Sequence, residues 1–125
     1  MLTKSKSETI ATFVERTILE GVKVQAVAVH FKLGQHFLLI VLSRSTSGYN
    51  VWRGRRDEGW DIMEYLKAAS GMNTLAQRVY QQGEFPFVFQ GQSIMLPAIC
   101  KADRFDEKVV LSLLPLLRKA DQASA

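Results

Sequence analysis

The chain has 125 residues, of which 47% are hydrophobic and 22% charged, and its formal net charge is +4. This length and composition predict a single domain over residues 1–125, with frayed ends near 1–4 and 121–125. The one cysteine excludes an internal disulfide, and the start of the chain lacks the apolar segment of a signal peptide. The most hydrophobic run, residues 37–42, is too short to cross a bilayer. We therefore expect a cytoplasmic protein without a membrane segment.

The positive charge is concentrated in the first half of the chain. Residues 1–56 hold nine Lys and Arg against three acids, whereas residues 57–125 hold seven against nine. Such asymmetry marks either an anionic partner or a solvated surface that carries more lysine and arginine on one side. The excess is modest by the standard of nucleic-acid-binding domains, which favours the second interpretation.

The first predicted element is a helix. Residues 5–8, Ser-Lys-Ser-Glu, match a capping box, in which side chains bond the free amides of a helix start. Apolar residues then recur at helical spacing, and Gly21 is a plausible helix end because glycine accepts left-handed backbone angles. The predicted apolar stripe consists of Ile10, Phe13, Val14, Thr17 and Ile18.

Three strands are predicted next. Residues 22–31 alternate in polarity, and residues 32–35 supply a turn. Residues 36–43 include six consecutive apolar positions, which predicts a central strand covered on both faces. A third strand is predicted to end near Gly54.

The remaining pattern predicts helices on either side of a hairpin. Residues 57–82 indicate a helix, a break at 70–71 and a second helix capped by Asn73. Alternating apolar residues at 85–89 and 94–98 predict two strands. A last helix is predicted to follow Asp103 or Asp106 and to bend near Leu111, since Pro115 removes a backbone donor.

The element order α-β-β-β-α(α)-β-β-α predicts an α+β protein, with a largely antiparallel five-stranded sheet on which helices pack. This order resembles that of the chaperones of type III secretion effectors and of roadblock/profilin-like modules. The resemblance rests on topology and no shared motif, so we assign no family.

Few residues suggest chemistry, and we predict no catalytic residue, metal site or cofactor. His30 and His36 flank the first turn, but two histidines are a poor metal site, and we interpret them as structural. Cys100 is interpreted as a core residue, because no neighbouring base is apparent in the sequence. The acids Asp57, Glu58, Asp61 and Glu64 crowd a helix start, where they complement the helix dipole.

A basic stretch, residues 53–56, is the best candidate binding site. Arginines at a helix start, with tryptophans on either side, are typical of sites that hold a phosphate and stack a base. The alternative is a turn in which the arginines pair with Asp57 and Glu58. The predicted anion- or nucleic-acid-binding residues are Arg53, Arg55, Arg56, Lys23, Arg44 and Trp52.

The leading functional hypothesis is a non-enzymatic binding or adaptor protein that forms a homodimer. A last helix that is apolar on more than one face would need a partner to cover it. The predicted interface residues are Val110, Leu111, Leu114 and Leu117. The alternative is a nucleic-acid-binding protein that uses the basic patch. A third possibility is an enzyme assembled from Cys100, His30 or Asp61.

Overall fold

The computed structural model describes residues 2–45, 47–76, 79–102 and 106–124. Three helices and six strands are present in these residues, so the prediction of an α+β protein is confirmed, and the sheet has one strand more than predicted. The elements in chain order are α1 (Ile10–Lys23), β1 (Ala28–Leu33), β2 (Phe37–Ser43), β3 (Gly48–Arg55), α2 (Arg56–Ala69), β4 (Gln81–Phe89), β5 (Gln92–Ala102), β6 (Glu107–Ser112) and α3 (Leu114–Ser124).

The six strands form one sheet in the order β3-β2-β1-β6-β5-β4, and all neighbouring strands are antiparallel. Strand β6 joins the two halves of the sheet, since it pairs with β1 on one side and β5 on the other. The two edge strands are β3 and β4.

Helices cover one face of this sheet. Helix α2 contacts five of the six strands, α1 contacts α2 and β1, and α3 contacts β5. Strand side chains that face the helices are buried, and together with the inner helix residues they form one core. Its largest fully buried members are Phe13, Ile18, Phe31, Leu38, Ile40, Leu42, Ile62, Met63, Leu66, Leu96, Leu111 and Leu113. None of the helices in the described part of the chain has the length and apolar character needed to cross a membrane.

Helix α1 is longer at its C-terminal end than predicted. It begins at Ile10, because Thr9 caps it by accepting a hydrogen bond from the Thr12 amide at 3.1 Å. It continues past Gly21, where a Cβ would lie 2.5 Å from Leu113 Cδ1. Glycine at this position therefore allows close packing and does not end the helix.

Strand β1 consequently starts at Ala28 and not near Val22. Residues 22 and 23 belong to the last turn of α1, and the chain then reverses through Gln25, whose φ is 60°. The second helix predicted at 73–82 is absent from the described residues, since β4 already begins at Gln81. Its residues 77 and 78 lie outside the described residues.

The predicted last helix is wrong over residues 107–112, which form β6. Val109 and Leu111 are buried, whereas Lys108 and Val110 alternate with them on the other face, the period of a strand. Pro115 occupies the first turn of α3, where its missing amide proton costs no helical hydrogen bond. The proline therefore marks a helix start, and there is no bend at Leu111.

The described residues extend from Leu2 to Ser124, close to both ends of the chain. Leu2 is buried, and its amide donates a hydrogen bond of 3.0 Å to the Val51 carbonyl of edge strand β3. Helix α3 runs to Ser124. Met1 and Ala125, which the sequence analysis placed in frayed ends, lie outside the described residues.

Candidate functional site: the open face of the sheet

The sheet face opposite the helices is the candidate site, and we call it the open face. The prediction that strand 36–43 is covered on both faces is wrong, because its residues alternate between buried and half-buried. The half-buried apolar residues of the open face are Phe37, Leu39, Val41, Ile99 and Val110. Such alternation with residual exposure is expected of an antiparallel sheet that has one face in solvent.

Farther along the open face, the β4–β5 hairpin carries four exposed apolar residues, which we call the hairpin patch: Pro86, Val88, Met95 and Pro97. Val88 is 67% exposed and Met95 is 46% exposed. Single exposed apolar side chains are ordinary on protein surfaces, but a contiguous group on one face is typical of a contact surface.

The edges of the sheet are less available than its open face. At β3 the Leu2 amide already occupies the Val51 carbonyl. At β4 the outward amide of Glu84 donates to the Ser70 carbonyl at 3.2 Å, and Pro86, two residues on, has no amide proton. Because both edges are blunted in this way, addition of another strand is disfavoured.

A row of cations crosses the open face near the turn that follows β1. Lys32 lies directly opposite Lys108 on β6, and Lys108 lies directly opposite Lys101 on β5. On the other side, Lys32 lies opposite Leu39, which lies opposite Arg53 on β3. We call Arg53, Lys32, Lys108 and Lys101 the basic row. Neighbouring strands are about 4.8 Å apart, so the three lysines project side by side.

None of these four side chains forms an ion pair with another described residue. Arg53 instead stacks on the Phe37 ring, with its guanidinium carbon 4.2 Å from the ring centroid. Glu107 precedes Lys108, but its carboxylate accepts a hydrogen bond of 2.7 Å from Lys67 of α2, on the opposite side of the sheet. Directly opposed like charges destabilise a sheet, so the basic row is costly to the fold.

A cavity of about 900 Å³ lies beside the basic row. Lys32, Lys101 and Lys108 line it together with Phe37 and Leu39. Asp106 and Glu107 also contribute to its wall. The cavity therefore combines three cations, an apolar surface and two acids.

His30 lies one row away from the lysines on the open face. Its Nε2 is 3.0 Å from Ser43 Oγ, whereas its Nδ1 is buried without a hydrogen-bond partner among the described residues. Burial lowers the pKa of His30, and the positive charges of Lys108 and Lys32 lower it further. The charges of Lys108 and Lys32 thus act on His30 in the direction that disfavours its protonated form.

The residues predicted to bind an anion do not form one surface. Arg53 and Arg55 project from the open face near Phe37, while Arg44 follows β2 at the opposite end of the sheet, near the end of α1 that carries Lys23. A β-bulge opposite Ile40 and Val41 turns Trp52 toward the helices, where its ring centroid is 5.0 Å from that of Phe13. Trp52 therefore packs against the core side of the sheet.

The arginines near α2 are engaged locally. Arg55 Nη2 donates to Asp57 Oδ2 at 2.6 Å, which lowers the pKa of Asp57 and raises that of Arg55. Arg56 lies over the ring of Trp60, 5.6 Å from its centroid. Arg55 therefore fits the alternative prediction for this stretch, a turn in which arginines pair with acids.

The predicted interface residues are also separated. Leu111 is fully buried in the core and is not available to a partner. Val110 lies half-buried on the open face, whereas Leu114 and Leu117 belong to α3, with Leu114 43% exposed. These residues thus lie partly on a strand and partly on a helix, and they do not form one helix face.

The remaining candidates occupy structural positions. Cys100 is fully buried, as predicted, and burial raises the pKa of its thiol. His36 is exposed at the turn after β1, and His30 lies opposite Val41 and not opposite His36. Glu58 pairs with Lys4 at 3.3 Å, and Glu64 accepts a hydrogen bond of 3.1 Å from Trp60. Among the described residues, no group of three or more His, Cys, Asp or Glu is placed to hold a metal ion.

Lys101 and Lys108 were not among the predicted site residues. Both belong to the half of the chain with a negative balance, and Lys108 was assigned to a helix. The alternation of Lys108, Val110 and Ser112 with buried residues was the available signal.

The fold defines the protein as a small α+β module with a six-stranded antiparallel sheet that is covered by helices on one face. Comparison with solved structures finds the X-ray structure of the ATPase DotB from Legionella pneumophila, with a TM-score of 0.65 and 13% sequence identity. The match covers 90% of this chain and 31% of the DotB chain, so this chain spans about a third of DotB. At this identity the similarity shows the fold alone. No protein-family model matches the chain. No curated protein matches it either.

Proposed function

We propose that the chain is a non-enzymatic binding protein that associates with a second copy of itself through the hairpin patch of the open face. The observation that carries this proposal is the group of exposed apolar side chains on that face, with Val88 67% and Met95 46% exposed. The hairpin patch replaces the interface that the sequence analysis placed on one apolar helix, since Leu111 of that set lies in the core.

Charge favours the hairpin patch over the rest of the open face for a symmetric contact. A two-fold axis through the basic row would bring like charges of two copies together, which is unfavourable. Met95 and Lys101 are six residues apart on β5, or about 20 Å along the strand. An axis near Met95 therefore keeps the two basic rows farther apart than the Debye length of about 8 Å.

The blunted edges support a contact through the face. Dimers that extend a sheet need a run of free amides and carbonyls along an edge strand. The outward positions of β4 are interrupted by the Glu84–Ser70 hydrogen bond and by Pro86. Burial of the exposed apolar side chains of the hairpin patch is a route to a stable contact that does not need a free edge.

The test is the mass of the protein in solution, measured by light scattering over a range of concentrations. We expect the unaltered chain to reach twice its monomer mass, and Val88→Asp with Met95→Asp to remain monomeric, because a carboxylate buried in an apolar contact is costly. Leu75→Asp is the matched control, since Leu75 is 89% exposed in the segment between α2 and β4.

A dimer that persists in the Val88→Asp, Met95→Asp variant would place the contact elsewhere and refute the proposal. A chain that stays monomeric at millimolar concentration would do the same. A loss of dimer in Leu75→Asp as well would move the contact to the segment before β4. Circular dichroism of each variant ensures that only folded proteins are compared.

A further inference from the structure

We propose that the basic row and the adjoining cavity bind a small ligand that bears several linked phosphate groups. The site consists of Lys32, Lys108 and Lys101, with Arg53 at the far end of the row. It lies at the other end of the open face from the hairpin patch, and it does not depend on self-association.

Positive charge is dense along the basic row. Its three lysines project from three adjacent strands, whose backbones lie about 4.8 Å apart. Opposed lysines repel each other, and a sheet with ordinary surface composition would alternate their charge or place neutral residues between them. A bound polyanion reverses the sign of this interaction, because each phosphate oxygen can accept hydrogen bonds from two neighbouring lysines.

The described residues do not neutralise the row. Within the described residues, no ion pair involves any of the four cations. Glu107, the residue before Lys108, is directed to Lys67, whose side chain is only 5% exposed. Because its carboxylate lies with Lys67 of α2 on the helix side of the sheet, Glu107 does not pair with Lys108.

The cavity beside the basic row has room for a ligand. Its volume of about 900 Å³ is within the range of small-molecule sites, and it is lined by all three lysines. Phe37 and Leu39 give it an apolar wall against which a non-phosphate part of a ligand can pack. A flat charged surface would hold a polyanion by charge alone, whereas this cavity also offers apolar contacts.

Spacing favours linked phosphates over an acidic peptide. Carboxylates on one side of an extended peptide recur every second residue, about 6.6 Å apart, which exceeds the distance between adjacent lysines of the row. Linked phosphates carry more charge in a shorter length, so one ligand can contact all three lysines at once. Lysine also suits phosphate, which it binds as a compact point charge.

His30 provides a reporter that lies outside the contacts with the ligand. The field of Lys108 and Lys32 contributes to its lowered pKa. A polyanion on the basic row would cancel that field, and the pKa of His30 would then rise. Val41 and Val110 are its cross-strand neighbours and Ser43 is its hydrogen-bond partner, so the two lysines are the charged groups that face it.

The experiment uses inorganic tripolyphosphate as the probe, with the full chain, and measures binding by calorimetry at 50 mM and 200 mM salt. We expect Lys108→Gln to weaken binding by ten- to a hundred-fold, since it removes the central charge-assisted hydrogen bonds. Lys101→Gln should weaken it in the same range. Lys23→Gln removes the same charge at the far end of α1 and should change the affinity by less than twofold. A pH titration of the unaltered chain, followed by NMR, should give a higher pKa for His30 when tripolyphosphate is present.

Two further probes identify the class of ligand. A hexaglutamate peptide and a twelve-residue thymidine oligonucleotide are titrated under the same conditions. Weaker binding of both than of tripolyphosphate supports the proposal. Tighter binding of either one, lost in Lys108→Gln, would overturn it in favour of an acidic protein or a nucleic acid. Equal losses of tripolyphosphate affinity in Lys23→Gln and Lys108→Gln would overturn the proposal, because they would indicate attraction to the net charge of the protein alone. Absence of tripolyphosphate binding to the unaltered chain would refute the site. The monomeric Val88→Asp, Met95→Asp variant should bind tripolyphosphate normally, which separates this proposal from the dimer.

Discussion

Replacement of Lys108 by glutamine should stabilise the folded protein, although most substitutions destabilise. Lys108 is the only member of the basic row with a lysine on both sides, so its removal eliminates two like-charge pairs. At a separation of about 5 Å in water, each pair costs about 0.8 kcal/mol. Screening at 0.15 M salt reduces this to about 0.4 kcal/mol. The expected gain is therefore about 0.8 kcal/mol, or roughly 3 °C in the melting temperature.

The assay is urea unfolding of the unaltered chain, Lys108→Gln and Lys23→Gln at 0.05, 0.15 and 1 M salt. The gain in Lys108→Gln should shrink as salt rises, because the Debye length falls to about 3 Å at 1 M. Lys23 lies in the last turn of α1, where a cation complements the helix dipole, so Lys23→Gln should be neutral or slightly destabilising. A Lys108→Gln protein that is less stable than the unaltered chain at low salt would refute the repulsion argument, and with it one support of the anion site.

Other expectations concern the fold around the site. Glu107→Gln should lower the free energy of unfolding by about 3 kcal/mol in urea titrations, since it leaves the Lys67 ammonium buried without its partner, and a loss under 1 kcal/mol would contradict the pairing. Gly59→Ala should cost about 2 kcal/mol by the same assay, because a Cβ would lie 2.5 Å from Leu38 Cβ; an unchanged midpoint would show that α2 can move away. The pKa of His30 is lowered in the folded state, so the unfolded chain takes up its proton first as the pH falls below about 6.5, and stability should decline there. His30→Gln should remove that decline in urea titrations between pH 7.5 and 5.5, and an unchanged slope would assign it to other groups.

The open face shows why the apolar content of a segment did not by itself indicate where a contact surface lies. Residues 37–42 were interpreted as a strand covered on both faces, but their odd-numbered members lie half-buried among neighbours on the open face. Cross-strand packing of side chains reduces their exposure without any covering helix. On this face of the sheet the most exposed apolar side chains are those of the hairpin patch, which was predicted only as a pair of alternating strands.

Local signals in the sequence were sufficient for the elements whose pattern and neighbours agreed. The apolar stripe of α1, the alternation of residues 85–89 and 94–98, and the α+β class were predicted from period and turn residues alone. The burial of Cys100 was also predicted, since a cysteine without an apparent neighbouring base is most often a core residue. The period of α1 and of the two strands is contained in one stretch of sequence each, so it could be recognised there.

The tertiary structure decided the sixth strand and the basic row. Residues 107–112 carry apolar side chains at both helical and strand spacings, and only the gap between β1 and β5, which needs a strand to fill it, selects the extended form. Strand β6 pairs with both β1 and β5, and its register brings Lys108 between Lys101, from the preceding strand, and Lys32, which is distant in the chain. Strand order and register are set by pairing over long separations, and a single sequence carries no local mark of which strands will become neighbours.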